Sequence, residues 1–439
     1  YVPPPKTAYS KIRKLPAAHM LVFDGVTTSI REYWDVDLDA QSGIRTSEEA
    51  VESISGELEN AVRRHMVSDV PVGVFLSGGI DSGTVTALAA RSSNESLRTF
   101  TIDFDDPATS EGASAQLTAD LYGTRHHRRV ATQDSVGPML ARTVDMYDEP
   151  FGDSSAIPMY QVAALGSEHV KVVLSGDGGD ELFAGYQRYQ LWMDQQWARW
   201  VPRSVARPLL APMLAVLPQH WAPARKAAKL CLEPAERYWR LVSMFSPSQK
   251  RGIVGPEWVR EFEGYDDYWY FRQYTRPSLD PITMAQYLDL KTYLPEDILT
   301  KVDRASMAVS LEVRPPLLDH TLVERTFQVP SRLRWPGGQL KHLLRQAART
   351  WLPAEILSGS KKGFSVPWSS WMRSGNGWRT DFLAQGTGRE LGLLSGPVGR
   401  PDSHQGMDMQ SWQLLVLELW LRRQGEEALA PSAARTPRA

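Results

Sequence analysis

Two short stretches of this chain combine residue types that can handle phosphate and charge. In Val72-Gly73-Val74-Phe75-Leu76-Ser77-Gly78-Gly79-Ile80-Asp81-Ser82 an apolar run breaks into a Ser/Gly turn and then into residues that can open a helix. Glycines let backbone N–H groups approach an anion, and the helix adds its positive end, so Ser77, Gly78, Gly79 and Ser82 read as a polyphosphate cradle. Asp81 can hold a cation among the phosphates. The turn is not the common phosphate loop, because no Gly-Lys-Ser/Thr closes it, nor is it a dinucleotide fingerprint. The second stretch, Val170 to Leu174, runs into Ser175-Gly176-Asp177-Gly178-Gly179-Asp180-Glu181. Its three carboxylates repel one another unless a cation or a cationic group sits among them. The spacing fails the calcium-loop pattern. If the strands are neighbours, Asp81 and Asp180 face each other and can clamp Mg²⁺, which takes only one or two carboxylates and completes its shell from phosphate and water.

Two further blocks carry charge among apolar residues: Tyr293 to Ala308 with Leu311 to His320, and the basic loop Ser358 to Pro367 with Lys361. Flanking aromatic and apolar residues favour a place for that loop over a cleft. Taken alone, each of these blocks also fits an ordinary turn or solvated surface charge.

The elements that must position these residues alternate. Strands are expected at Val72–Leu76, Thr99–Phe104, Arg125–Val130 and Val170–Leu174, with helices beginning near Ser82, Glu111, Gln133 and Ala156. Such alternation implies an α/β fold with a doubly wound parallel sheet, whose ligands bind beyond the carboxyl ends of the strands. Upstream, Thr46 and Glu49 form a capping box for a helix with Val51, Ile54, Leu58, Ala61 and Met66 on one face. Residues His19 to Asp24 and Ser29 to Trp34 read as a hairpin that buries too little alone and belongs with a sheet upstream of this sequence. Beyond residue 186 long Trp-, Leu- and Arg-rich helical stretches follow, in which Trp192, Trp197, Trp200 and Trp239 are expected in the core or lining a groove. The expected organisation is a crossover segment at 1–40, an α/β core at 41–190, a helical part at 191–427 and a disordered tail at 428–439.

Composition excludes some classes. The 439 residues carry 49 Lys+Arg against 51 Asp+Glu, so no polycationic face for nucleic acid is implied. No run of about 18 uncharged apolar residues suggests a membrane span. The single Cys231, in an apolar helical context, rules out an intrachain disulfide and suits core packing in a reducing cytoplasm.

The Ser-Gly-Gly-x-Asp-Ser turn resembles the pyrophosphate loop of the adenylating ATP pyrophosphatases. All four blocks in this order resemble the synthetase half of the glutamine-dependent asparagine synthetases, over nearly the whole chain. The resemblance implies adenylation of the aspartate side-chain carboxylate by ATP with Mg²⁺, then attack by ammonia to give asparagine, AMP and pyrophosphate. It implies that Leu76 and Ile102 hold the adenine and ribose, that Ser175 and Gly176 add nucleotide contacts, that Asp177 serves adenylate formation, and that Lys361 steadies the adenylation transition state. Asp81 and Asp180 would hold the metal, while Asp297 and Asp303 are weaker candidates on the substrate side. Lys11 to Pro16 and Tyr33-Trp34 look like the end of the family's glutaminase domain. The N-terminal cysteine of that domain has no counterpart here, so ammonia would come from an upstream domain, a separate glutaminase or solution. A homodimer is compatible with all of these.

Related chemistries remain open. Asp177 counts against the β-lactam-forming branch, which resembles this family but carries a tyrosine there. A macrolactam-forming cyclase or another amidotransferase would share the adenylation residues. A tRNA-modifying adenylase should bring a basic surface and extra cysteines, and a nucleotide-sensing pseudoenzyme would not need Asp81, Asp177, Asp180 and Lys361 together.

Overall fold

A short apolar strand buried on both faces needs helices above and below it, and β3 (Val72–Phe75) has them. It lies at the centre of a five-stranded sheet in the order β5-β4-β3-β6-β7, formed with β4 (Arg98–Phe104), β5 (Arg125–Ala131), β6 (Val172–Leu174) and β7 (Glu312–Arg314), and every pairing is parallel. The computed structural model describes residues 1–40, 42–106, 110–132, 137–217, 221–359, 386–396 and 405–429. Of the tail expected at 428–439, the first two residues end the helix Gln405–Leu429 and the rest lies outside them, as does the lysine loop from residue 360.

Chain order sets where a ligand can enter. From β3 the sheet grows outward through β4 to β5, then the chain returns to the other side of β3 to lay down β6 and β7. The order therefore reverses between β3 and β6. A crevice opens there, beyond the carboxyl ends of the two strands.

Helices α1 (Ser47–His65) and α2 (Ile80–Ser92) cover one face: Ile54, Leu58, Val85 and Leu88 join Val74 and Leu174 in one core with Leu322, Phe327 and Leu344. On the other face α5 (Ala156–Ser167) packs Ile157, Ala163 and Leu165 against Phe75, Phe100 and Val173. Helices α3 (Gly112–Leu121) and α4 (Gly137–Tyr147) complete the α/β half. A third core, with Tyr189, Trp192, Tyr238 and Leu288, lies within the later helices.

Most expected elements are present. The Thr46/Glu49 capping box forms with both reciprocal bonds, and Ile54, Leu58 and Ala61 on the chosen face are fully buried. The hairpin pairs as β1 (His19–Phe23) with β2 (Thr28–Glu32), leaving Phe23 and Ile30 exposed. Three details differ. Strand β6 begins at Val172, because Val170 donates its N–H to Gly166 at the end of α5. Strand β7 is only three residues between charged ends, too short for a periodic signal. Trp200 is 81% exposed, whereas Trp192 and Trp239 are buried as expected.

One ion pair ties α1 to the C-terminal helices. Arg64 donates through Nε and Nη2 to Asp319 at 2.8 and 2.7 Å, while Asp319 also caps the helix His320–Gln328 by accepting the Thr321 N–H at 3.0 Å. Burial opposes ionisation of Asp319, yet the Arg64 guanidinium and the Thr321 donors hold its carboxyl down at about 2. Asp319→Ala is expected to destabilise the fold by about 2 kcal/mol or more, from the lost cap and the lost partner of Arg64. A native carboxylate more acidic than the unfolded one, at about 3.9, stabilises above that pH and loses its contribution as pH falls towards 2. Denaturant titrations at pH 7 and pH 2.5 check both: the wild-type–variant gap is expected to shrink at the lower pH.

Candidate active site

The turn after β3 is built by its own hydroxyls. Ser82 Oγ accepts the Ser77 N–H at 3.0 Å, and Ser77 Oγ accepts the Gly79 N–H at 3.1 Å, so the chain curls into α2 without a side-chain cap on the helix. The first N–H groups of α2 stay open towards the crevice, as an anion site requires. Gly78 is needed for close approach: a Cβ there would stand 2.8 Å from the Ser114 Cβ.

The turn after β6 lies against the first one. A Cβ on Gly176 would fall 2.7 Å from the Ser82 N and 3.0 Å from the Asp81 Cβ, a contact that only glycine permits. Gly178 has φ +89°, the left-handed region, and starts the one-turn helix α6 (Gly179–Leu182) that carries Asp180 and Glu181.

Both turns line one cavity of about 440 Å³. The described residues expected to bind nucleotide and metal, with Asp177, are found in its wall: Leu76, Ser77, Gly78, Gly79, Asp81, Ser82 and Ile102 from the β3–β4 side, with Ser175, Gly176, Asp177 and Asp180 from the β6 side. Lys361 lies outside the described residues. Asp303 is exposed and absent from the wall, and Asp297 is buried behind it, beside Asp153 and Lys301.

Sequence reasoning missed the cation that joins the loops. Lys341 forms an ion pair with Asp180 Oδ1 at 2.8 Å and donates a hydrogen bond to Asp81 Oδ2, with its side chain only 6% exposed. Burial alone would lower its pKa, but the two carboxylates raise it, so it stays an ammonium. Nothing around Gly338-Gln339-Leu340-Lys341 marks it, and it lies 260 residues from Asp81. The remainder of the wall includes Arg345 near Lys341, and Asp153, Ser155, Glu181, Tyr186 and Lys301.

The electrostatics divide. Partial burial pushes the Asp177 carboxyl up, partly offset by the Ser175 hydroxyl and Lys301. Burial and the neighbouring Asp180 push Glu181 up to about 7. Burial also opposes ionisation of Asp153, but Lys301 and the Ser155 donors hold it below the usual range.

The residues fit a divalent cation. Asp81 and Asp180 converge on a single point, where the Lys341 ammonium sits, and the glycines around it leave no room for a Cβ: one on Gly179 would lie 2.5 Å from Asp81 Oδ1. Among the described residues no three His, Cys, Asp or Glu converge as metal ligands, so two carboxylates with phosphate and water would have to suffice.

A parallel sheet with its loops meeting at the switch point, one of them a Ser-Gly-Gly-x-Asp-Ser turn, defines an α/β protein of the ATP pyrophosphatase type. Comparison with known proteins is more specific. The chain belongs to the asparagine synthase family, whose sequence model matches residues 53–422. A Mycobacterium tuberculosis protein named "Putative asparagine synthetase" is 32% identical over 435 residues, covering 96% of this chain and 65% of the relative. Asparagine synthetase 1 of Bacillus subtilis is 31% identical over 382 residues, covering 85% and 58%. Amidase chyE of Penicillium rubens is 26% identical over 399 residues, covering 82% and 59%. This chain thus spans less than two thirds of the length of each. No helix among the described residues is long and apolar enough to cross a membrane.

Two substitutions test the geometry. Gly176→Ala is expected to push the turns apart and weaken ATP binding at least 10-fold, about 1.4 kcal/mol, measured by equilibrium binding. Lys341→Met leaves two facing carboxylates, so Mg²⁺ alone should raise its melting temperature more than it raises the wild type's. An equal Mg²⁺ response in both proteins would show that the lysine and the cation do not compete.

Proposed function

We propose that this chain carries out ATP-dependent amidation of aspartate, giving asparagine, AMP and pyrophosphate. The observation that carries the reading is the shared cavity, with the phosphate turn and the acidic turn in contact at its rim and a buried ammonium between Asp81 and Asp180. In the first step a side-chain carboxylate oxygen attacks the α-phosphorus of ATP and pyrophosphate leaves. In the second, ammonia attacks the acyl carbon, AMP leaves with the bonding electron pair, and a proton is released.

Each step sets a task for these residues. Ser77 to Ser82, with the open N-terminus of α2, hold the phosphates, and Leu76 and Ile102 place the adenosine. Joining two anions requires positive charge near the reacting oxygens, which Lys341 and Lys361 supply. Mg²⁺, held by Asp81 and Asp180, would neutralise phosphate charge on the leaving group. Asp177, Ser175 and Gly176 face the reacting carboxylate, where Asp177 holds the substrate ammonium or guides the incoming nitrogen. We assign the enzyme to the cytoplasm, with ammonia from glutamine through a preceding domain or a separate glutaminase, and with a homodimer as the assembly to look for. Nucleic acid has no part in the reaction.

A second reading has specific support. A relative named as an amidase aligns over 82% of this chain, so an amide formed on another carboxylate would use the same adenylation residues. Incubation with ATP, Mg²⁺, aspartate and ammonium separates the two: aspartate-dependent pyrophosphate release and asparagine are expected, whereas pyrophosphate released only with another carboxylic acid would favour the second. Lys361→Ala is expected to lower the adenylation rate on the order of 10²-fold or more, read by aspartate-dependent ATP–pyrophosphate exchange.

A further inference from the structure

The wall of the cavity holds a second buried ammonium. Lys301, on the helix Thr300–Met307, has a side chain only 8% exposed and donates to Asp153 Oδ2 at 2.9 Å and to Ser155 Oγ at 2.8 Å. An ammonium carries three N–H donors, and the third has no acceptor among the described residues. Asp153 is fixed in place, accepting the Ser155 N–H at 2.9 Å and the Ser155 hydroxyl at 2.7 Å. Lys301, Asp153, Ser154, Ser155 and Asp177 all border the cavity that the phosphate turn borders. The 12-residue helix α5 begins directly after Ser155, and its positive end adds to the field of Lys301 there.

We propose that Lys301 binds the α-carboxylate of the acceptor amino acid, with Asp177 taking its α-ammonium. This rests on the amidation reading above and names the residue that sets its substrate class. An amino-acid head group carries one anion and one cation on a single carbon, so its receptor must present the opposite pair close together. Asp177 and Lys301 both border this cavity, and Lys301 is among the groups that favour the Asp177 carboxylate. The reacting carboxylate has to reach the α-phosphorus above the two turns, and Lys301 borders the same cavity, where it can hold the other end of the substrate. A carboxylate on a peptide side chain, with no free α-carboxylate, would leave the third N–H of the buried Lys301 ammonium without an acceptor, which such a site disfavours.

The test compares aspartate with β-alanine, which is aspartate without its α-carboxylate, in the pyrophosphate-release assay with ATP and Mg²⁺. Wild type is expected to prefer aspartate on the order of 10²-fold in kcat/KM. Lys301→Met should reduce that preference to within about 5-fold by lowering kcat/KM for aspartate alone, with KM for ATP unchanged. Because Lys301→Met strands the Asp153 charge, the double variant Lys301→Met/Asp153→Asn is measured beside it, with the same collapse expected. A preference kept at the wild-type level in either folded variant, both substrates falling together, overturns the assignment and leaves the amidation reading intact. Wild-type enzyme that releases no pyrophosphate with aspartate overturns the reading and the anchor with it.

Discussion

The ammonium of Lys341, held between Asp81 and Asp180, is the interaction on which the site's geometry depends. Each carboxylate belongs to a different turn, and each turn ends a different strand. Two carboxylates converging on one point in a buried setting would repel, and either burial or repulsion would drive one of them to take up a proton. A cation at that point removes both problems and ties the turns together. It also fixes the price of substrate entry, because any metal-bound pyrophosphate reaching the same point must share the carboxylates with Lys341 or displace it.

That contact is possible because of how the sheet is wound. Strands β3 and β6 are hydrogen-bonded neighbours although 96 residues of sequence separate Val72–Phe75 from Val172, and the reversal of strand order between them opens the crevice. Neighbouring strands lie roughly 4.8 Å apart, so the turns at their ends nearly collide. Gly176 and Gly179 resolve the collision by having no Cβ to place against Ser82 and Asp81. The glycines of the acidic turn thus serve two ends: Gly178 takes a left-handed φ that starts α6, and its neighbours make room for the partner loop.

What could be read from the sequence follows from the range of the interactions involved. The phosphate turn, the acidic turn and the capping box at Thr46 each complete their chemistry within a few residues, so residue type and spacing were sufficient to place them. Lys341 and Lys301 acquire meaning only from partners 260 and 148 residues away, and no local pattern distinguishes them from surface lysines. Asp303 shows the converse. It shares a charged, amphipathic segment with Lys301, and the helix turn sends Lys301 inward and Asp303 to solvent, so membership of a conspicuous block was no guide to its direction. Trp200 misled for a similar reason: aromatic density argues for a core, but a 3₁₀ turn at Gln196–Trp200 leaves its last residue outside.

The cavity wall carries its cations as ion pairs: Lys341 lies between Asp81 and Asp180, and Lys301 lies beside Asp153. Carboxylates of one chemical kind are driven in opposite directions by their neighbours: Asp177 upward by burial, Asp153 downward because Lys301 and Ser155 outweigh its burial. A site that must bring a carboxylate up to a polyphosphate faces repulsion between its own two ligands. Uniform positive charge would hold both but would also bind each tightly before reaction, which lowers KM without raising kcat. On the amidation reading proposed above, the paired ammonium groups of Lys341 and Lys301 with the acid Asp177 would instead orient a substrate carrying both signs so that only one of its carboxylates meets the α-phosphate.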